Sequence, residues 1–271
     1  MSWWTSPATE TQISHGDRFW LYVLAAIIML LLIIPTLIVI PMSFSDSQYL
    51  EFPPEQWSLR WYGEYFDSTK WMRATVTSLQ VGFLTLLVAT PLGTMAAYAL
   101  FVSGHRFAKI IFMLLITPMI VPVILIAIGV FYAFGRMGLN NSITGLVLAH
   151  TAMATPLVMI VITAALRSYD LNQERVARSL GATRIKAFFT VTLPQIKFSV
   201  VTAGLLSFLT SFDEVIIAIF VSGGKNASLT KHMFAALRDF IDPTIAAIST
   251  IMVGVSTALL LATQFIGRRK K

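Results

Sequence analysis

Residues 19–44 read FWLYVLAAIIMLLLIIPTLIVIPMSF, twenty-six positions without one charged side chain. A helix needs about 20 apolar residues to cross the hydrocarbon core of a bilayer, so this stretch is a membrane span. Moving outward from it, residues 74–102, 107–133, 142–166, 198–221 and 241–266 have the same character. The whole 271-residue chain is 56% hydrophobic and 12% charged, against about 25% charged in a soluble domain. These numbers predict an all-α, polytopic membrane protein with six transmembrane helices. The expected domains are a polar tail over 1–18, a single six-helix domain over 19–266 and a basic tail over 267–271.

The formal charge of +7 does not point to nucleic acid, because the basic residues sit in short segments beside apolar spans. They belong to the bilayer. With no cysteine in the chain, disulfides, thiolate metal sites and thiol nucleophiles are excluded. Residues 1–19, MSWWTSPATETQISHGDRF, lack the basic start and small-residue cleavage site of a signal peptide, so the first span is expected to be retained.

Six spans put both termini on one side, and the Lys/Arg bias of short loops chooses it. Thirteen lysines and arginines fall on the side of the termini: Arg18, Arg106, Lys109, the cluster from Arg167 to Lys197, and the final four residues. Seven fall opposite: Arg60, Lys70, Arg73, Arg136, Lys225, Lys231 and Arg238. The termini are therefore expected in the cytoplasm.

Pro91, Pro118, Pro122 and Pro156 lie inside spans, where each removes a backbone hydrogen bond. Membrane helices tolerate proline, but Pro118 and Pro122 are one turn apart on one face and predict a kink. The first outer loop, 45–73, mixes Trp57, Trp61, Tyr62, Tyr65, Phe66 and Trp71 with acidic residues. An amphipathic aromatic helix anchored at the interface accounts for the rings; docking of a soluble partner by the acids is the alternative. The last outer loop, 222–240, is expected to hold a short surface helix, with Lys231 and His232 solvated.

Between spans 4 and 5 lies ERVARSLGATRIKAFFTVTLP, residues 174–194. Asp170 caps a helix with Gln173 three residues on, and Glu174 pairs with Arg178 at the next turn, which predicts a helix over 171–180. Gly181 ends it with a left-handed turn. A second short helix, 184–192, is expected to stop at Leu193-Pro194. The product is a helical hairpin projecting into the cytoplasm, and its plain reading is a topology determinant.

Asp213 and Glu214 are carboxylates within an apolar span, which are costly unless they face protein, water or a cation. Read as one helix, Ser207, Ser211 and Glu214 share a face bordered by Thr210, and Asp213 points about 100° away, toward a partner or neighbouring helix. Either the pair lines a path for a cationic solute, or interhelical hydrogen bonds satisfy it. His150 is read as a bond to a neighbouring helix rather than a proton relay. GGKNAS at 223–228 lacks the flanking residues of a phosphate-binding loop, and no metal cluster or nucleophile-base-acid set is apparent.

The hairpin resembles the EAA loop of bacterial ATP-binding-cassette importer permeases. Counting from Gly181, Val191, Leu193 and Pro194 match the pattern; its Glu-Ala-Ala falls on Arg175, Val176 and Ala177, with Glu174 one position early. The resemblance extends through SLRWYGEYF, ATPLGTMAAYAL, PMIVPVILIAIGVFYAFGRMGL, GLVLAHTAMATPLVMIVITAALRSYD and SFDEVIIAIFVSGG. These stretches look most like the smaller permease of spermidine/putrescine importers; permeases for opines, phosphonates, thiamine and ferric iron share much of the pattern.

The resemblance implies a bacterial inner-membrane permease importing a small polar or cationic solute, polyamine first, by alternating access. It implies a second, nonidentical permease, two cytoplasmic ATPases that bind ATP and magnesium, and a periplasmic binding protein. This chain itself is expected to hold no cofactor and to be no enzyme. The coupling loop, 167–197, would meet the ATPase through Glu174, Arg175, Ala177, Arg178, Gly181, Ala182, Arg184, Leu193 and Pro194. A gradient-driven secondary transporter using Asp213 and Glu214, and a scaffold with no conducting path, are the alternatives from other classes.

Overall fold

The structure, a computed structural model, describes residues 14–268, with side chains described to Leu261. Residues 1–13 of the N-terminal tail and Arg269, Lys270 and Lys271 of the C-terminal tail lie outside the described residues.

Helices dominate the described chain. They are α1 (Phe19–Met42), α2 (Arg60–Asp67), α3 (Thr69–Ser103), α4 (Ala108–Ile116), α5 (Val123–Met137), α6 (Ile143–Arg167), α7 (Asn172–Ser179), α8 (Arg184–Ala187), α9 (Leu193–Phe212), α10 (Ile216–Val221), α11 (Leu229–Asp239) and α12 (Thr244–Arg268). Five stretches are long and apolar enough to span a bilayer, and α4 with α5 makes a sixth if that bent pair is one span.

The chain divides into two compact units. The first comprises residues 14–64 with Ile241–Val253. Its helix α1 buries no residue, so its Leu and Ile side chains use lipid as their solvent. After α1 the chain folds back on itself: Ser58 donates its N–H to Phe44 O at 2.6 Å, and the Ser43 and Tyr62 hydroxyls meet at 2.7 Å.

The second unit, Tyr65–Phe240 with the end of α12 from Gly254, is built on α3, α6 and α9, which pack against one another. Without a hydrophobic drive in lipid, such packing relies on small residues that let backbones approach. A methyl group at Gly93 would sit 2.6 Å from Val158 Cγ1, and one at Gly204 would sit 3.2 Å from Thr90 Oγ1. One apolar cluster joins Tyr98, Met159, Ile162, Leu166, Phe188 and Ile196; another joins Val81, Ala127, Leu146, Ile217 and Val221.

One expectation is met more sharply than predicted, and three need correction. The kink in span 3 is a 91° break, with Pro118 in a 3-10 turn and Pro122 capping α5. Each proline removes a donor and biases its predecessor out of the helix. The stop at Leu193-Pro194 is absent: α8 passes through a π-helical turn, Phe188–Thr192, straight into α9, so Arg184–Phe212 is continuous. The wide turn places Pro194 near the N-terminus of α9, where its missing N–H is tolerated.

Span 5, in turn, does not run unbroken to 221. It ends at Phe212, and α10 begins at Ile216. In the outer loop, Trp61, Tyr65 and Trp71 are buried rather than anchored in lipid, while Trp57 and Phe66 are exposed. A buried indole or phenol needs a hydrogen-bond partner: Trp61 Nε1 donates to Ser47 O at 3.1 Å, and the Tyr65 and Thr75 hydroxyls meet at 2.8 Å. The helix of this loop is the eight-residue α2.

Candidate functional site: the loop between α6 and α9

Asp170 Oδ1 accepts the Asn172 N–H at 2.9 Å, fixing the entry to α7. At the other end the N–H of Gly181 bonds Arg178 O at 3.0 Å, and the N–H of Ala182 bonds Ala177 O at 3.1 Å. This paired closure is a Schellman motif. It requires the left-handed backbone that Gly181 adopts at φ 93°. Thr183 then caps α8 by accepting the Lys186 N–H. Of the helices expected over 171–180 and 184–192, the first is α7, and the second is the short α8, which runs on through the π turn.

Glu174 is placed differently from either expectation. It makes no ion pair with Arg178; among the described residues the ion pairs are Arg60–Glu64 and Arg238–Asp239. It turns inward and is 4% exposed. Its Oε1 accepts the Tyr98 hydroxyl at 2.7 Å, and its Oε2 accepts the Thr192 hydroxyl at 2.9 Å. Thr192 in turn lies 3.2 Å from the Tyr169 hydroxyl. The Gln173 carboxamide, expected in the cap, bonds Gln195 instead.

The helix α7 is thereby tied to the end of α3 and to the base of α9. The Tyr98 ring also packs on Phe188 at 4.5 Å between centroids, and Leu193 joins the apolar cluster below it. Beyond the anchored side, Arg175, Arg178 and Arg184 are exposed and line a cavity of about 400 Å³ with Phe101, Leu171 and Glu174. Pro194 is exposed.

The other group of candidates separates. Ser207 is fully buried and donates to Gly204 O at 2.8 Å. Ser211 is buried in the bundle, its Oγ 2.8 Å from His150 Nδ1 and 3.3 Å from Thr85 Oγ1. His150 therefore bonds Ser211 of the neighbouring helix. Thr210 is half-buried. Glu214 does not share their face, because the helix has ended: its Oε1 accepts the Ile217 N–H at 3.0 Å and caps α10, while its carbonyl accepts the Thr230 hydroxyl. Asp213 closes α9 and its side chain is exposed.

Two residues expected in solvent are structural. The Lys231 ammonium donates to Ile219 O at 3.0 Å and to Ser222 O, meeting the free carbonyls at the end of α10. His232 packs edge-on against Trp71 at 4.4 Å. Tyr98 and Thr192 were not singled out by sequence reasoning. Tyr98 carried one signal, a phenol near the end of a span, where an amphipathic ring finds a polar partner.

Residues 89–271 match the family described as binding-protein-dependent transport system inner membrane component. The chain is 32% identical over 246 residues to the putrescine transport system permease protein PotI of Escherichia coli, covering 88% of this chain and 87% of that one. It is 29% identical over 239 residues to the spermidine/putrescine transport system permease protein PotC of Haemophilus influenzae, covering 88% and 92%. A chain of the bacterial alginate ABC transporter, solved with a pentasaccharide-bound periplasmic protein, superposes with a TM-score of 0.70 over 94% of this chain and 96% of that one. At 19% identity that likeness is one of fold.

Proposed function

The chain belongs to the inner-membrane components of binding-protein-dependent transport systems, and on that premise we propose that it passes a small cationic solute inward, a polyamine before others. It is a multi-pass, non-catalytic permease subunit of an ABC importer; a gradient-driven transporter and an inert scaffold fall away with that membership. In this reading both termini are cytoplasmic, and a second, nonidentical permease completes the path. Two cytoplasmic ATPases bind ATP and magnesium, and a periplasmic protein delivers the solute.

One observation carries the reading: the α7 hairpin is hydrogen-bonded through Glu174 to both Tyr98 of α3 and Thr192 at the base of α9. An ATPase that moves the hairpin moves two spans with it. Alternating access requires such a join, since a loosely tethered loop would absorb the displacement.

For the solute, support comes from the polyamine relatives and from Asp213. Its exposed carboxylate stands where α9 ends and its last carbonyls point outward, a combination that attracts cations. The test is uptake of labelled putrescine and spermidine into vesicles holding both permeases, the ATPases and the binding protein. ATP-dependent uptake is expected; uptake without ATP or without the binding protein would sink the reading.

A second solute class has one observation in its favour. Lys70, Arg73, Lys225 and His232 line a cavity of about 320 Å³, at the outer side in this topology. Four basic side chains there suit a carboxylate or phosphonate group, so opines and phosphonates belong in the same uptake assay. Competition by an opine but not by putrescine would decide for this class.

A further inference from the structure

We infer that the arginine-lined recess on the α7 hairpin receives carboxylate side chains from the ATPase, so that the permease is the cationic partner in the docking contact. This rests on the reading that residues 167–197 dock an ATPase. The residues themselves set the sign of the charge.

Over 167–197 the chain has six basic side chains, Arg167, Arg175, Arg178, Arg184, Lys186 and Lys197, and two acidic ones, Asp170 and Glu174. Neither acid is free for a partner. Both oxygens of Glu174 are engaged inside the protein, and Asp170 holds the entry to α7. Facing outward are Arg175, Arg178 and Arg184, none of them ion-paired among the described residues. Arg175 touches the neutral Asn172 oxygen at 3.2 Å.

The three guanidiniums share one cavity of about 400 Å³, large enough for one or two carboxylate side chains. Guanidinium forks match carboxylates in two parallel hydrogen bonds. The exposed apolar residues of the hairpin favour a folded protein over a free anion or lipid phosphate. Phe101, Val102 and Leu171 line the recess beside the arginines, and on the same hairpin Leu180 is 84% exposed and Ile185 is 72% exposed. Apolar residues around arginine anchors are the composition of a protein interface. A free phosphate would leave Leu180 and Ile185 in water.

The experiment uses the intact transporter in nanodiscs, with ATPase affinity measured across a range of salt. Arg175→Glu with Arg178→Glu is expected to weaken ATPase binding about thirtyfold or more, and an acid-to-arginine change in the ATPase groove is expected to restore it. Because charge reversal can disturb the hairpin, Arg175→Lys with Arg178→Lys supplies a second arm. Carbodiimide treatment should then couple position 175 or 178 to an ATPase carboxylate, mapped by mass spectrometry.

Leu180→Asp separates the two levels of the inference. If it releases the ATPase while the arginine reversals leave affinity and salt dependence unchanged, docking stands and the acidic partner is wrong. If none of the variants releases the ATPase, the docking reading itself fails. If the arginine reversals leave ATPase affinity unchanged and instead weaken retention of anionic lipid in the discs, the recess belongs to a lipid headgroup and the proposal is overturned.

Discussion

The hydroxyl of Tyr98 donates to Oε1 of Glu174 across 2.7 Å, joining positions 76 residues apart in sequence. Thr192 holds the other oxygen at 2.9 Å. A carboxylate is retained in a buried place when its hydrogen bonds are complete, and removing it strands its donors. Glu174→Gln keeps one acceptor and is expected to lose roughly 1.5–3 kcal/mol of local stability; Glu174→Ala should lose more. In vesicles both variants should hydrolyse more ATP per solute imported. An unchanged ratio would show that the tie does not transmit movement.

Gly181 should resist substitution for a backbone reason. At φ 93° a side chain is strained by about 1–2 kcal/mol, although a Cβ added there would meet open space. Gly181→Val is therefore expected to loosen the α7–α8 hairpin without harming the bundle. Hydrogen exchange should rise over 172–187 and stay at wild-type levels over α3 and α6.

Asp213 and Glu214 should part company when neutralised. Asp213→Asn removes an exposed charge and is expected to cut cation uptake about tenfold, with thermal stability unchanged. Glu214→Ala removes the cap of α10 and should lower stability by about 1 kcal/mol. Uptake and melting measured on both variants check this; equal loss of stability in the two would deny Asp213 a role on the path.

Lys231 has a predicted pH signature. Burial pushes its ammonium below the ordinary lysine range, so the unfolded chain holds that proton more tightly than the folded one. Stability from this site then rises with pH between the lowered value and the ordinary one near 10.4. Lys231→Met should be less stable at neutral pH, because it leaves the carbonyls of Ile219 and Ser222 unmet. Melting profiles against pH should be flatter for the variant than for the parent.

The spans were legible because bilayer thickness imposes a length on apolar runs, as residues 19–44 display. The hairpin was legible because its ends follow local rules, Asp170 at the start and Gly181 at the turn. The break after Phe212 was not, since Ser-Phe-Asp-Glu-Val contains neither glycine nor proline. There a side chain, Glu214, starts a new helix instead. The direction of Glu174 was hidden for another reason: both of its partners lie far from it in sequence, and helical spacing offered Arg178 as a nearer choice. The Leu193-Pro194 boundary misled because the π turn before it absorbs the proline.

That π turn has a mechanical consequence. The helix from Arg184 to Phe212 is held at Thr192, which leaves about 8 residues on the hairpin side and 20 on the other. At 1.5 Å per residue the two arms are roughly 12 and 30 Å. Were the whole stretch to pivot there as one rigid piece, sliding against α3 and α6, a displacement at Arg184 would be geared up by about 2.5 at the end of α9. A 2 Å shift of the hairpin would then move the end of α9 by roughly 5 Å.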